Sequence, residues 1–154
     1  KNEFATTSVG TTLSQATTGA ATSISSTPAS PSISVFNNPF ASPTTIDTAV
    51  GSLITVSITN RSGNSTITET ESLQGSLTFA WSTSGDPGTG DGTANGGSGF
   101  VGGSVSNVNG DTIYIRPKFT EGGRNVDETG NGNINVTNNS VSHDKTVSIT
   151  VGGR

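Results

Sequence analysis

Apolar and polar residues alternate with a period of two in several short stretches of the chain, the first clear one beginning at residue 53. Such alternation is typical of a β-strand with one buried face, because successive side chains point to opposite sides of a sheet. The apolar positions of the predicted strands are Ile54, Val56 and Ile58; Ile67; Leu77, Phe79 and Trp81; Ile113 and Ile115; Ile134 and Val136; and Val147, Ile149 and Val151. We therefore predict an all-β domain, with Leu77, Phe79 and Trp81 on the buried face of a central strand.

Turn-forming residues separate these strands. The segment 61–64 combines Ser, Gly and Asn and predicts a turn. Two longer stretches rich in Gly, Asn and acidic residues, 85–103 and 121–133, predict loops without regular structure. Nearer the N-terminus, four prolines flank the short alternating piece Ile33-Ser34-Val35, which predicts an edge strand within a linker.

The N-terminal part of the chain has an unusual composition, since no charged residue occurs between Glu3 and Asp47. It is also so poor in apolar residues that it cannot bury enough surface to offset its ordering entropy. We predict that residues 1–46 form an extended arm and linker that packs on other chains, and that residues 47–154 form a β-sandwich. The alternative is a helix that forms only against a partner, because five residues fall at helical spacing: Val9, Leu13, Ala16, Ala20 and Ile24.

Composition and charge exclude several classes of protein. Only 28% of the residues are hydrophobic, against a usual ~45–50%, so the core is thin. The net charge is −4 and the seven basic residues are spread along the chain, which argues against nucleic-acid binding. The absence of Cys excludes disulfides and thiolate metal sites. No apolar run approaches the ~20 residues that span a bilayer, so we expect no membrane insertion.

The order of the predicted strands resembles that of an immunoglobulin-like domain over about residues 47–152. Trp81 lies on a central strand, Tyr114 on a later one, and the segment 146–151 forms a terminal strand. The paired cysteines of antibody-type domains are absent. The resemblance implies an immunoglobulin-like antiparallel β-sandwich of the kind found in virion and extracellular surface proteins. It also implies a role in recognition or assembly, and no active site.

Catalytic constellations are weak in this sequence. His143 is the only His, and Asp144 beside it would point to the opposite face of a strand, so a Ser–His–Asp triad is not expected. Paired carboxylates could serve a glycosidase, but one Trp and one Tyr cannot line a sugar cleft. The carboxylates considered for that role are Glu69, Glu71, Glu121, Asp127 and Glu128. We therefore predict that the protein is not an enzyme.

Two Gly-rich stretches interleave oxygen-bearing side chains with glycine, which is a pattern that hard cations accept. Asp86 and Asp91 lie in the first, and Asp127 and Asn131 in the second. Neither stretch matches the EF-hand spacing, and Asp, Asn and Gly are also the ordinary residues of turns. These four residues are the candidate metal ligands, and calcium is the one cofactor that the sequence suggests.

These observations lead us to expect a non-enzymatic structural subunit of a virion (a capsid decoration or tail component) or of an extracellular filament. An uncharged extended arm has unpaired backbone groups that the sheet edge of a neighbouring subunit can satisfy. The expected partners are copies of the chain or other assembly subunits, and the expected location is extracellular or on a virion surface. The alternative is a module that binds carbohydrate or another cell-surface ligand through the Gly-rich loops, with calcium.

Overall fold

The computed structural model describes residues 20–40, 46–90, 99–123 and 126–153, and these residues form ten β-strands in two sheets. Strand formation follows the alternation of β-branched and hydroxyl residues, which suits a pleated, half-buried surface. The strands are β1 Ser23–Thr27, β2 Ser32–Phe36, β3 Thr48–Val50, β4 Ile54–Thr59, β5 Ser65–Glu71, β6 Gly75–Ser82, β7 Ser104–Val108, β8 Thr112–Glu121, β9 Glu128–Asn138 and β10 Val141–Gly152.

The topology is that of an immunoglobulin-like sandwich, which confirms the predicted fold class. The first sheet contains β1, β4, β8 and β6 in that order, with β3 pairing the C-terminal half of β8; the second has the order β2-β10-β9-β5-β7. These are the ABED and GFC arrangements of such domains. The pairing is antiparallel throughout except between β2 and β10, which run parallel. Strand β7 is the departure, because it follows β6 in sequence but pairs with β5 in the second sheet.

The structure corrects the predicted domain boundary at residue 47. Strand β1 pairs with β4 over five residues, and β2 pairs with β10 over five more. Ile33 and Val35 of β2 are almost fully buried in the core. The prediction that residues 1–46 contribute little to the core is therefore wrong for residues 20–40, because hydrogen bonds to two sheets hold this polar segment in place. Residues 1–19 lie outside the described residues, so the arm prediction stays open for them.

The core lies between the two sheets and is built mainly from β-branched residues. Its largest fully buried side chains are Phe79 of β6 and Phe119 of β8. The second sheet supplies smaller residues opposite them, including Ile67, Ile134 and Ile149. Two aromatic rings therefore fill a large share of a core that has few large side chains.

Strand β6 differs in one respect from the prediction. Leu77 and Phe79 are buried as expected, but Trp81 is only partly buried. The reason is position, since β6 pairs with β8 on one side and on the other makes a single described bridge, between Phe79 and Val101. Among the described strands, β6 is thus an edge strand and not a central one, and Trp81 packs at the margin of the core.

The predicted loop over residues 121–133 is a strand from Glu128 onward. Gly130 and Gly132 face the interior, where a side chain would collide with Leu73 and Leu77 respectively. Glycine is therefore required at these positions by close packing and not by a turn. The composition is that of a loop, but the pairing with β10 is regular along the whole of β9.

The sandwich has two distinct ends. At one, named the Arg61 end, Arg61 binds Asp111 at 2.6 Å and joins the turns 60–64 and 109–111. Thr22 Oγ1 donates to Asn60 O at 2.7 Å, which places the start of the described chain at this end. At the other, named the Phe36 end, the segments 36–40, 46–47, 122–123 and 152–153 meet with Val126, and hydrogen bonds from the backbone and side chain of Asn37 join Gly152 and Val126 to β2.

Replacing Phe79 by Ala is expected to lower the free energy of unfolding by about 3–5 kcal/mol, because a fully buried aromatic leaves a cavity that a two-sheet core cannot close. Urea denaturation measures the loss. Thr78→Ala on the outer face of the same strand is the matched control and should change stability by less than about 1 kcal/mol. Equal losses in the two variants would contradict the assigned core.

Candidate functional site

The exposed large hydrophobic residues of the described chain all lie at the Phe36 end. Their side chains are exposed to very different degrees: Phe36 66%, Phe40 94%, Ile46 55% and Val126 42%. A small apolar patch that gathers every such residue at one end of a domain is typical of an interaction site. We call these four residues the apolar patch.

Two asparagines hold the segments of the apolar patch together. Asn37 is fully buried, its backbone N–H donates to Gly152 O at 2.6 Å and its Nδ2 donates to Val126 O at 2.9 Å. Asn38 accepts a hydrogen bond from the backbone N–H of Phe40 at 2.9 Å, and its own N–H donates to Asp47 Oδ2 at 3.3 Å. The patch is therefore fixed by buried and local hydrogen bonds and not by packing of the exposed rings.

The orientation of Phe36 follows from the alternation of β2. Ile33 and Val35 point inward, so the next residue must point out. Gly153 lies against this ring. A Cβ at that position would come within 2.7 Å of Phe36 Cε2, so a side chain there would collide with the ring. The sequence carried one signal for this site, namely two Phe residues in an otherwise neutral and polar segment, but which face they take depends on the pairing of β2 with β10.

Buried charge lies close to this end. Glu121 is only 5% exposed, and its Oε1 has no hydrogen-bond partner among the described groups. Its backbone N–H donates to Asp47 O at 3.0 Å. A carboxyl in that position is closed to a bound substrate, so it does not serve the glycosidase role weighed from sequence.

The predicted metal ligands are not gathered by the described structure. Asp86 is bound by the Arg116 guanidinium through both oxygens, at 3.1 and 2.7 Å, and this ion pair lowers the pKa of the Asp86 carboxyl. Asp91 lies outside the described residues. Asp127 is exposed just before β9, whereas Asn131 lies within β9 on the outer face. In the described ranges, no group of three or more His, Cys, Asp or Glu residues could hold a metal ion. The calcium site stays a prediction.

His143 has a partner that sequence reasoning missed. Its Nε2 lies 2.7 Å from Ser26 Oγ of β1, an interaction across 117 residues. Burial, followed by the positive charge of Lys145, lowers the pKa of the imidazole. Asp144 points to the opposite face, where Asn133 and Asn135 bind it. The Ser–His pair therefore lacks a carboxylate to orient the ring, and it serves to join β1 to β10.

Glu69 and Glu71 form a carboxyl pair on the inner face of β5, at the edge beside β6 and β7. The backbone N–H of Gly103 donates to Glu69 Oε2 at 2.7 Å, while Glu69 Oε1 is buried and receives no hydrogen bond from a donor in the described ranges. Burial is the first cause that raises the pKa of the Glu69 carboxyl, and the hydrogen-bonded neighbour Glu71 raises it further.

Comparison with known proteins adds no functional assignment. No protein-family model and no curated protein matches the chain. A family 123 glycoside hydrolase from Clostridium perfringens is similar in structure, with a TM-score of 0.46 and 12% identity over 86% of this chain, which spans only 27% of the hydrolase. The CooA pilin subunit of enterotoxigenic Escherichia coli has a TM-score of 0.41 and 10% identity, with 85% of this chain and 98% of the pilin covered.

The collagen-binding subdomain of the Enterococcus faecalis surface protein ACE is a third similar structure. Its TM-score is 0.36, with 11% identity over 78% of this chain and 94% of the subdomain. Similarity at this level carries no argument about function. In the described part of the chain, no helix has the length and hydropathy that a membrane span requires.

Added calcium is expected to leave the melting temperature no higher than magnesium at equal ionic strength does. Arg116 already occupies both oxygens of Asp86, and any ion would have to displace it. A specific site would raise stability by about 2.7 kcal/mol at one hundred times its dissociation constant. A calcium-specific rise that disappears in Asp91→Ala would overturn this expectation.

The Glu69–Glu71 pair is expected to make the domain more stable in mild acid. The folded state holds the Glu69 proton more tightly than the unfolded chain, because its pKa is raised. This contribution is complete below the ordinary Glu pKa of about 4.3 and is lost as the pH rises through the raised value. Urea denaturation of the native chain and of Glu69→Gln between pH 4 and 7 should therefore show a difference that depends on pH. A constant difference would contradict the raised pKa of Glu69.

Proposed function

We propose that the protein is a non-enzymatic structural subunit of a virion or of an extracellular filament, and that its apolar patch receives the N-terminal residues 1–19 of another copy. The observation that supports this proposal is the location of the patch. The exposed Phe36, Phe40, Ile46 and Val126 lie at one end, whereas residue 20 lies at the other. A contact between unlike ends is heterologous, and repetition of such a contact builds a filament or a ring.

The chemistry of residues 1–19 suits an apolar acceptor. They contain Phe4, Val9 and Leu13, and the segment carries no charge after Glu3. An uncharged segment can cover an apolar surface without desolvating an ion. Burying an exposed Phe side chain contributes about 1.5–3 kcal/mol, so two Phe rings of the patch can supply much of a micromolar contact.

Chain direction favours a second copy over the same molecule. Strand β1 begins at the Arg61 end and runs toward the Phe36 end, so a straight continuation upstream of residue 20 leads away from the molecule's own patch. Nineteen residues extend to about 60 Å at ~3.3 Å per residue. This length reaches across a contact to the Phe36 end of a neighbour stacked in line.

The described sandwich does not need a donated strand. All seven strands of the ABED and GFC sheets come from the same chain, and both sheets share a continuous core. The arm would therefore add contacts at an end of the domain and would not complete a fold. This distinguishes the proposal from assembly in which a partner's strand fills a gap in the core.

The alternative from sequence, a loop-based module for carbohydrate or another cell-surface ligand, has less support. Of the two Gly-rich stretches, the described part of the first is joined to the first sheet by the Asp86–Arg116 ion pair. The second becomes β9 from Glu128 onward. Neither leaves a described loop cluster with free ligand groups.

Two variants, each lacking one side of the proposed contact, test the proposal by complementation. A chain lacking residues 1–19 keeps the patch, and full-length Phe40→Asp keeps the arm; each is expected to be monomeric by light scattering because each lacks one side of the contact. Mixed together, they should form a 1:1 heterodimer and no longer species. Loss of one buried Phe should weaken self-association of the full chain by about tenfold to a hundredfold.

Ser57→Asp is the matched control, because it adds the same charge to an exposed residue of β4 away from the apolar patch. It should assemble like the native chain. A full-length chain that is monomeric at all concentrations, or a mixture of the two variants that stays monomeric, would contradict head-to-tail assembly through this patch.

A further inference from the structure

The outer face of the second sheet carries short polar side chains in regular rows. Residues paired across β5, β9, β10 and β2 share this face, which ends at the Phe36–Gly152 pair; of the fifteen paired residues before that pair, all except Asp144 are Ser, Thr or Asn. The rows are Thr66, Thr137 and Ser142; Thr68, Asn135 and Asp144; Thr70, Asn133 and Thr146; Asn131, Ser148 and Ser32; and Thr129, Thr150 and Ser34. We call this surface the hydroxyl–amide face.

Hydrogen bonds fix the centre of the hydroxyl–amide face. Asn133 and Asn135 each donate from Nδ2 to Asp144 Oδ1 at 2.9 Å. These two bonds, with that from Asn135 the larger influence, lower the pKa of the Asp144 carboxyl and keep it ionised. Asp144 Oδ2 receives no hydrogen bond from the part of the chain that the structure describes. A pre-oriented acceptor therefore stands at the end of the second row, among neutral side chains.

A shallow depression lies next to this acceptor. It measures about 410 Å³ and is lined by Thr70, Glu71, Ser72, Asn131, Asn133 and Thr146, with Gly132 at its base. Asn133 belongs both to the depression and to the pair of amides that bind Asp144. A volume of this size falls within the ~300–1,000 Å³ range of small-molecule sites.

The outer face of the first sheet has a different character. It carries Arg116 and Lys118, which bind Asp86 and lie over the Phe100 ring respectively. These two charges therefore contact Asp86 and Phe100, which belong to the described parts of the first Gly-rich stretch. The hydroxyl–amide face has no such covering among the described residues, and its hydroxyls and amides are open to solvent.

We infer that the hydroxyl–amide face binds a neutral sugar, with the ring in the depression and one hydroxyl on Asp144. A sugar presents several O–H donors and acceptors, which match alternating amides, hydroxyls and one carboxylate. Neighbouring strands lie ~4.8 Å apart and same-face residues ~6.7 Å apart, so successive rows offer repeated contacts to a polymer. Sulfated or sialylated glycans are disfavoured, since their anionic groups would meet the ionised Asp144 and the five rows of this face contain no Lys or Arg.

Binding of the full-length chain to an array of neutral glucans, mannans and galactans, with sialylated and sulfated glycans beside them, tests this site. We expect at least one neutral glycan to bind, with a dissociation constant on the order of micromolar to millimolar. Asp144→Asn and Thr146→Val should each weaken binding about tenfold or more, because the first replaces a charged acceptor by a neutral amide and the second removes a hydroxyl.

Thr150→Val supplies the matched control. It lies on the same face of β10 but outside the depression, and should change the affinity by less than about twofold. The proposal is overturned if no neutral glycan binds, if charged glycans bind instead, or if Thr150→Val weakens binding as much as Thr146→Val does. Circular dichroism of each variant separates lost contacts from lost folding.

Discussion

The structure depends on a single polar segment that belongs to both sheets. Between Ser23 and Phe36 the chain first pairs with β4 and then, after Pro28, pairs with β10. Hydrogen bonding to two sheets compensates for a composition that contributes little apolar surface. Because this segment supplies an edge strand to each sheet, the described sandwich needs no strand from a partner. The two ends of the sandwich carry different residues. The same segment starts near Arg61 and ends at Phe36, so it also determines at which end residue 20 lies and where the patch begins.

The fold was predictable where apolar residues alternate and uncertain where glycine replaces them. Ile54, Val56 and Ile58 form β4 as the period of two indicates. The first half of β9, Glu128 to Asn133, was not predictable, because Gly130 and Gly132 occupy interior positions that the side chains of Leu73 and Leu77 fill. Such a position has no apolar residue of its own, so periodicity along the sequence cannot reveal it. The same limit applies to β1, because all but one of its residues are Ser or Thr.

The surfaces were harder to predict than the strands. Phe36 and Phe40 are visible in the sequence as two Phe residues in a polar segment, but their exposure follows from the register of β2 with β10 and from the hydrogen bonds of Asn37 and Asn38. The hydroxyl–amide face needs the register of four strands at once. The sequence shows Thr and Ser at alternate positions, whereas only the pairing shows that they form rows beside one carboxylate.

The thin core and the weakly charged surfaces are both compatible with a role in assembly. Two aromatic rings and a set of β-branched residues hold the sheets together, and ion pairs are few among the described residues, with Arg61–Asp111 and Arg116–Asp86 the ones present. Surface pairs of this kind contribute little to stability. Specific association would then rest on apolar burial at one end and on hydrogen bonding across one face, which are separate surfaces on the same rigid scaffold.

Intermolecular paramagnetic relaxation enhancement tests directly whether residues 1–19 of one copy contact the apolar patch of another. The chain has no Cys, so Ser8→Cys provides a unique site for a spin label within residues 1–19. Spin-labelled, unenriched chain is mixed with ¹⁵N-labelled chain that lacks residues 1–19. We expect broadening of the amide signals of the apolar patch, namely Phe36, Phe40, Ile46 and Val126. Broadening along β1 or β7 instead, or none at any concentration, would contradict the assignment of the apolar patch as the receptor for the arm.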